Sequence, residues 1–241
     1  MALASYMQRA QLLLNDAGIA VYNPGDLITY INLGRQQIAT ETECVRDLGT
    51  LSITPGTQAY SLGLISIPSG QGYNSVLSVR MASYLASGSN TNAYMTERNW
   101  EWFFRYYKSS GVAPATGLAT IWSLLGRGTL GTLYFYPVPS GNTTITVDCV
   151  ILPNALATDA DVEALGYPFT DAVPFYAAYY AAFTAGNMDA AKIFWDQFRD
   201  YVQMAIEGAT STVLAGSSSG FSGDKIARQA TALDGTSGGA S

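Results

Sequence analysis

The chain has 241 residues, 12 basic and 18 acidic side chains, a net charge of −6 and no histidine. The missing histidine excludes Ser-His-Asp and Cys-His catalysis and every histidine-ligated metal site. The acidic balance argues against a basic face that reads DNA sequence. Charged residues make up only 12%, about half the usual share, so the surface is expected to be covered in part by partners, as in an assembly subunit.

Residues 3–46 read as two helices. Leu3, Tyr6, Met7, Ala10, Leu13, Leu14 and Ala17 recur at helical spacing, and Gly18 is the expected stop. The second helix opens at Asn23-Pro24-Gly25-Asp26: Asn23 can cap, Pro24 sits where a missing N–H costs nothing, and Asp26 meets the positive helix end. Leu27, Ile28, Ile31 and Ile38 form its apolar stripe. Gly34 on that stripe would let a neighbour approach closely, and Arg35 points to another face.

From residue 49 to 152 the period changes to two. GTLSITPG, QAYSLGL, SVLSVRMASYL, TGLATIWSLL, TLYFYPVP and TTITVDCVIL are short β-type runs, separated by Pro55-Gly56, Ser87-Gly88-Ser89-Asn90 and Ser140-Gly141-Asn142. One aromatic helix, Arg98 to Lys108, interrupts them. It carries Trp100, Trp102, Phe103, Phe104, Tyr106 and Tyr107 and is too apolar all round for a lone surface helix. Burial against the β unit is one reading. The other is contact with a neighbouring subunit through Trp100, Trp102, Phe103, Tyr106 and Tyr107.

Residues 155–208 return to helix, with Thr170 as a cap and Pro174 in a first turn. Phe175, Tyr179 and Phe183 share one face, and Ala177, Ala178, Ala181 and Ala182 allow close helix approach. Gly186-Asn187 turns the chain into a last helix with Phe194, Phe198, Tyr201 and Ala205 on one face. This segment holds eight acids against two bases, Lys192 and Arg199. Asp189, Asp196, Asp200 and Glu207 on the outer face form either a solvated surface or an acidic face, of a channel or a ring, that repels the DNA backbone. Residues 209–241 are mostly Ser, Gly, Ala and Thr and cannot bury enough to order alone. Phe221, Ile226 and Leu233, with Lys225 and Arg228 beside them, suit an arm that orders on a partner.

The expected fold is therefore α+β: a helical bundle from the N- and C-terminal helices, an inserted antiparallel β domain and an extended C-terminal arm. The division is residues 1–47, 48–154, 155–208 and 209–241. Cys44 and Cys149 are far apart and read as two buried free thiols in a reducing compartment. The N-terminus lacks the pattern of a signal peptide, and no apolar run is long enough to span a membrane.

The candidate chemistry is sparse. Gly126-Arg127-Gly128-Thr129-Leu130-Gly131 matches G-x-G-x-x-G, but a strand-like run follows it where a dinucleotide site needs a helix, so a hairpin loop is expected. Glu97 and Glu101, four apart, are the minimum for a carboxylate pair. Cys44 has no evident base beside it. No catalytic set, cofactor site or metal site emerges.

The arrangement resembles the head-to-tail adaptor, or connector, proteins of tailed bacteriophages. The resemblance rests on Asn32-Leu33-Gly34-Arg35-Gln36-Gln37-Ile38-Ala39 after an acidic-capped helix start. It extends to Val76–Arg80, to Leu133–Pro139 and to Leu165–Pro174, over about residues 5–208. It implies a structural virion protein at the head–tail junction, assembled in the host cytoplasm as a ring, usually of twelve copies. Its implied partners are further copies of itself, the portal, a tail tube or nozzle protein, and double-stranded DNA passing without sequence reading. Membrane is not among them. The arm residues Phe221, Lys225, Ile226, Arg228 and Leu233 are then portal-docking residues. Two alternatives from the residues remain open: a virion-associated peptidoglycan hydrolase using Glu97 and Glu101 or an acid from 155–208, and a capsid-surface or receptor-binding module on the β unit.

Overall fold

Two helices open the chain, α1 (Leu3–Leu13) and α2 (Pro24–Thr42). The computed structural model describes residues 3–16, 21–70, 72–85, 92–108 and 115–216. α1 stops at Leu13 and the chain turns with Asn15 at φ 54°, earlier than Gly18, which lies outside the described residues. α2 begins as its sequence dictates: the Asn23 side chain accepts the Gly25 N–H, and Pro24 follows it. It ends at Glu43, in the left-handed region at φ 52°, whose N–H bonds Ala39 O.

Among the described residues the β unit follows in ten strands: β1 (Arg46–Ile53), β2 (Ala59–Ser61), β3 (Tyr73–Leu85), β4 (Asn92–Tyr94), β5 (Thr96–Glu97), β6 (Thr116–Gly117), β7 (Ile121–Leu125), β8 (Thr132–Tyr136), β9 (Val138–Pro139) and β10 (Thr143–Pro153). One four-stranded sheet runs β1-β10-β3-β4 and a second β2-β8-β7-β5. Pairing is antiparallel apart from the two-residue contacts β5–β7 and β6–β9. Alternation sets the register. Leu51 lies opposite Ile145 and Gly49 opposite Val147, so the apolar sides of β1 and β10 both face inward. Trp122, Leu133 and Phe135 fill the second sheet's side of the same core.

Residues 98–108 hold a single α-turn, α3 (Trp100–Phe103), capped by the Asn99 side chain, and continue as a π-turn from Phe104 to Lys108. The chain returns to helix later than its composition suggests. Residues 154–168 form a strap rather than a helix. The Asp161 carboxylate accepts the Ala157 and Thr158 N–H groups, which diverts the backbone into a local turn, and Pro168 closes the stretch. Thr170 does not cap α4 (Val173–Thr184). It is buried in a 3₁₀ turn, and the α4 N-cap position is Ala172. α5 (Met188–Gly216) closes the described chain and extends past the expected end at residue 208.

α4 is apolar on nearly every side because three neighbours cover most of it: it packs on α1, α2 and α5 and leaves Phe183 exposed at its C-terminal end. Gly34 of α2 faces it, and a Cβ there would sit 3.0 Å from the Tyr176 side chain. Tyr176 in turn meets Phe198 of α5 edge-on at 5.1 Å. One cluster of buried residues runs from Leu3 and Tyr6 through Ile38 and Tyr176 to Val147 and Trp122, joining bundle and sheets.

Candidate functional site

Arg35 does leave the apolar stripe of α2, but the strap covers the face it takes. Its guanidinium is buried and grips Glu163 through Nε and Nη2, with Nη1 on Asn32 Oδ1 and Asn154 O. Asn32 closes the joint by donating to Leu156 O and accepting the Leu156 N–H. The Tyr6 hydroxyl lies buried beside this pair, and burial together with the Glu163 charge holds its pKa well above the ordinary tyrosine range. A second joint sits at the C-terminal end of α2. Glu43 receives Arg80 from β3 and Arg127 from the β7–β8 turn, so one carboxylate ties α2 to both sheets. Arg199 of α5 reaches Glu41 at 2.9 Å. Sequence reasoning missed these joints, because the partners lie far apart along the chain and nothing local marks them.

Three surfaces were expected, and these joints fix the two described ones relative to one another. The first is the aromatic turn on the second sheet. Trp100 packs on Tyr134 at 4.6 Å and Tyr107 stacks on Tyr136 at 3.8 Å. Arg98 lies over the Trp102 ring at 4.9 Å, and Trp102 meets Tyr106 at 4.7 Å. Phe103 is fully buried in the chain's own core, which removes it from the candidate subunit interface. Phe104 and Tyr106 are about half exposed, and Trp100, Trp102 and Tyr107 are partly covered. Phe104 is the residue that the sequence-based set lacks.

The second is the outer face of α5. Asp189, Asp196, Asp200 and Glu207 are all exposed, and their spacing of seven, four and seven residues places them in one straight row. Glu207 accepts a hydrogen bond from Gln203; Asp189, Asp196 and Asp200 make no ion pair or hydrogen bond among the described residues. Lys192, one turn away, is exposed and makes no ion pair either. The third surface was expected on Phe221, Lys225, Ile226, Arg228 and Leu233, which lie outside the described residues.

The catalytic candidates lie on separate, exposed elements. Glu97 ends β5 and Glu101 lies in α3, both exposed. Gly126–Gly131 is the turn of the β7–β8 hairpin, as the strand-like run after it suggested. Both cysteines are free. Cys149 is fully buried, and its desolvated thiol is pushed up to about 12, with Asp148 and Asp47 adding to the rise; Cys44 is half-buried and raised by desolvation. Among the described residues no three metal-ligating side chains gather, and no helix is long and apolar enough to cross a membrane.

A family model described as SU10 adaptor protein matches residues 1–218. The chain belongs to the SU10 adaptor family. The match spans both helical segments and the whole β unit, and it agrees with the resemblance to phage adaptors carried by residues 32–39 and 165–174. No curated protein matches the chain. As an SU10 adaptor, the chain pairs an ion-pair-jointed body with two surfaces that reach solvent, the Phe104–Tyr106 side of the aromatic turn and the α5 row.

Proposed function

We propose that this chain is a structural subunit of the virion neck. Copies of it form a ring between portal and tail tube or nozzle protein and continue the channel through which double-stranded DNA passes. Membership of the SU10 adaptor family is the observation that carries this reading. The ring has twelve copies, as the resemblance implies, and is completed in the host cytoplasm before it takes its place at the head–tail junction. The chain works by binding and not by catalysis.

Three features support the assignment of parts. The row Asp189, Asp196, Asp200 and Glu207 is unneutralised by any described base, so it repels phosphate and lets DNA slide past without adhering. The exposed part of the aromatic turn, Trp102, Phe104 and Tyr106, packs on the next copy; such head-to-tail contacts close into a ring at a fixed rotation. The arm beyond α5, with Phe221, Lys225, Ile226, Arg228 and Leu233, docks on the portal. Co-sedimentation tests the assignment: the full chain is expected to pellet with portal assemblies, and a chain that stays in the supernatant contradicts it.

A further inference from the structure

Beyond its acids, the outer side of α5 carries an apolar strip. Ile193 and Met204 are 57% and 54% exposed and line one flank of the carboxylate row; Tyr201, further round, stacks one ring face on Phe175 of α4 at 4.7 Å and leaves 38% of its surface exposed. An apolar strip beside a charged row is a face that lacks its partner. Six of the described bases are committed elsewhere. Arg9, Arg35, Arg46, Arg80, Arg127 and Arg199 are each held by a carboxylate off the row, Arg98 lies over Trp102, and Lys192 stands at the edge of the row without an ion pair.

Twenty-five residues follow Gly216, and within them Lys225–Leu233 carries two bases and no acid. Lys225 and Arg228 bracket Ile226, with Phe221 before and Leu233 after; Asp224 and Asp234 fall just outside the run. We propose that in the free subunit this segment folds back along its own α5, setting Lys225 and Arg228 against Asp200 and Asp196, and Ile226 against Met204 and the exposed edge of Tyr201. The reach allows it. Asp200 lies about 24 Å back along the helix from Gly216, and the nine residues from Gly216 to Lys225 span up to about 30 Å. Asp196 lies about 30 Å back, against about 40 Å for the twelve residues to Arg228. Because the segment is tethered, its effective concentration at the face is high, and weak ion pairs with one apolar anchor suffice. The consequence is an arm held on the subunit until a partner surface competes for it, which leaves the acidic row bare only after assembly.

Zero-length carbodiimide coupling of the isolated full chain tests this without portal or ring, so its failure is separate from that of the adaptor reading. Equal amounts of ¹⁴N- and ¹⁵N-labelled chain are mixed and the coupled peptides are read by mass spectrometry. Lys225 is expected to couple to Asp196 or Asp200 in single-isotope peptides. The yield is expected to fall at least five-fold between 50 and 500 mM salt, and by a similar factor in Ile226→Ser, whose change lies in the arm and leaves the body intact. Mixed-isotope links would overturn the proposal, because a second copy would then hold the arm. Coupling of Lys225 to Asp26, Asp47, Glu97 or Glu101 as readily as to the row, or no coupling of Lys225 at all, would overturn it too.

Discussion

Arg35 and Glu163 stand 128 residues apart in sequence, and their side chains meet almost out of solvent, 1% and 6% exposed, with Nη2 2.8 Å and Nε 3.0 Å from the carboxylate. The pair fastens the strap across α2, and the strap leads directly into α4 and α5. Removing one partner leaves the other charge buried and alone. Arg35→Met and Glu163→Gln are each expected to cost about 3–5 kcal/mol of unfolding free energy. The double change Arg35→Met with Glu163→Leu is expected to cost clearly less than the two single losses added. Urea denaturation of the three variants checks this, and additive losses would show that the pair is not a unit.

The strap also depends on Gly72, at the start of β3, which has φ +76°; a Cβ there would lie 2.3 Å from Val162 O. Gly72→Ala therefore meets both an unfavourable backbone region and a backbone atom that cannot step aside. It is expected to destabilise by more than about 2 kcal/mol. Gly56 has φ +75° but open space around it, so Gly56→Ala is expected to lose only about 1 kcal/mol. Equal losses in thermal or urea unfolding would mean that the Val162 contact is unimportant.

Stability should fall on the alkaline side. Desolvation raises the Cys149 thiol from 9.0 to about 12 and the Tyr176 hydroxyl from 10.0 to about 12. Both groups are neutral when protonated, and the folded chain holds these protons more tightly than the unfolded chain does. As pH rises past about 9 for the thiol and about 10 for the hydroxyl, the unfolded chain loses protons first, so unfolding becomes easier up to about pH 12, by at most about 1.4 kcal/mol per pH unit for Cys149 and by less for the partly solvated Tyr176 hydroxyl. Urea midpoints at pH 7.5, 9 and 10.5 measure this. They are expected to be level below pH 9 and to drop above it, with a shallower drop in Cys149→Ala.

Much of this architecture was legible in the sequence, because periodicity and caps are local. Asn23-Pro24 starts α2 where it should, Leu51 and Ile145 alternate into one core, and Gly34 marks the approach of α4. The strap was not legible. Its turn depends on one side chain, Asp161, capturing backbone donors, and its docking depends on Arg35 far upstream. Among the surface residues, the α5 row followed from spacing alone. Phe103 and Phe104 could not be sorted into core and surface, since adjacent aromatic residues on a one-turn helix give no periodic signal.

Glu97 and Glu101 form no catalytic pair in the account given above. Replacing both with Gln is expected to change stability by no more than about 0.5 kcal/mol, the range for exposed sites. Co-sedimentation with portal is expected to be unaffected. A peptidoglycan clearing assay that detects hydrolysis by the parent chain and its loss in the variant would refute this.

The central claim is attachment at the neck, and the arm is its most exposed part. α5 runs to Gly216, so truncation belongs after Gly216 and not after Glu207, which would cut the helix. Phe221→Ala in the full chain is expected to weaken portal attachment by about 1–3 kcal/mol, the range for a buried anchor. The most direct measurement is electron microscopy of purified portal mixed with the full chain and, separately, with the chain ending at Gly216. The account predicts an annular layer of this protein on the portal with the full chain, and folded, largely unattached subunits with the shorter one. Portal particles that carry no added layer with the full chain, or equal decoration by both chains, would contradict it.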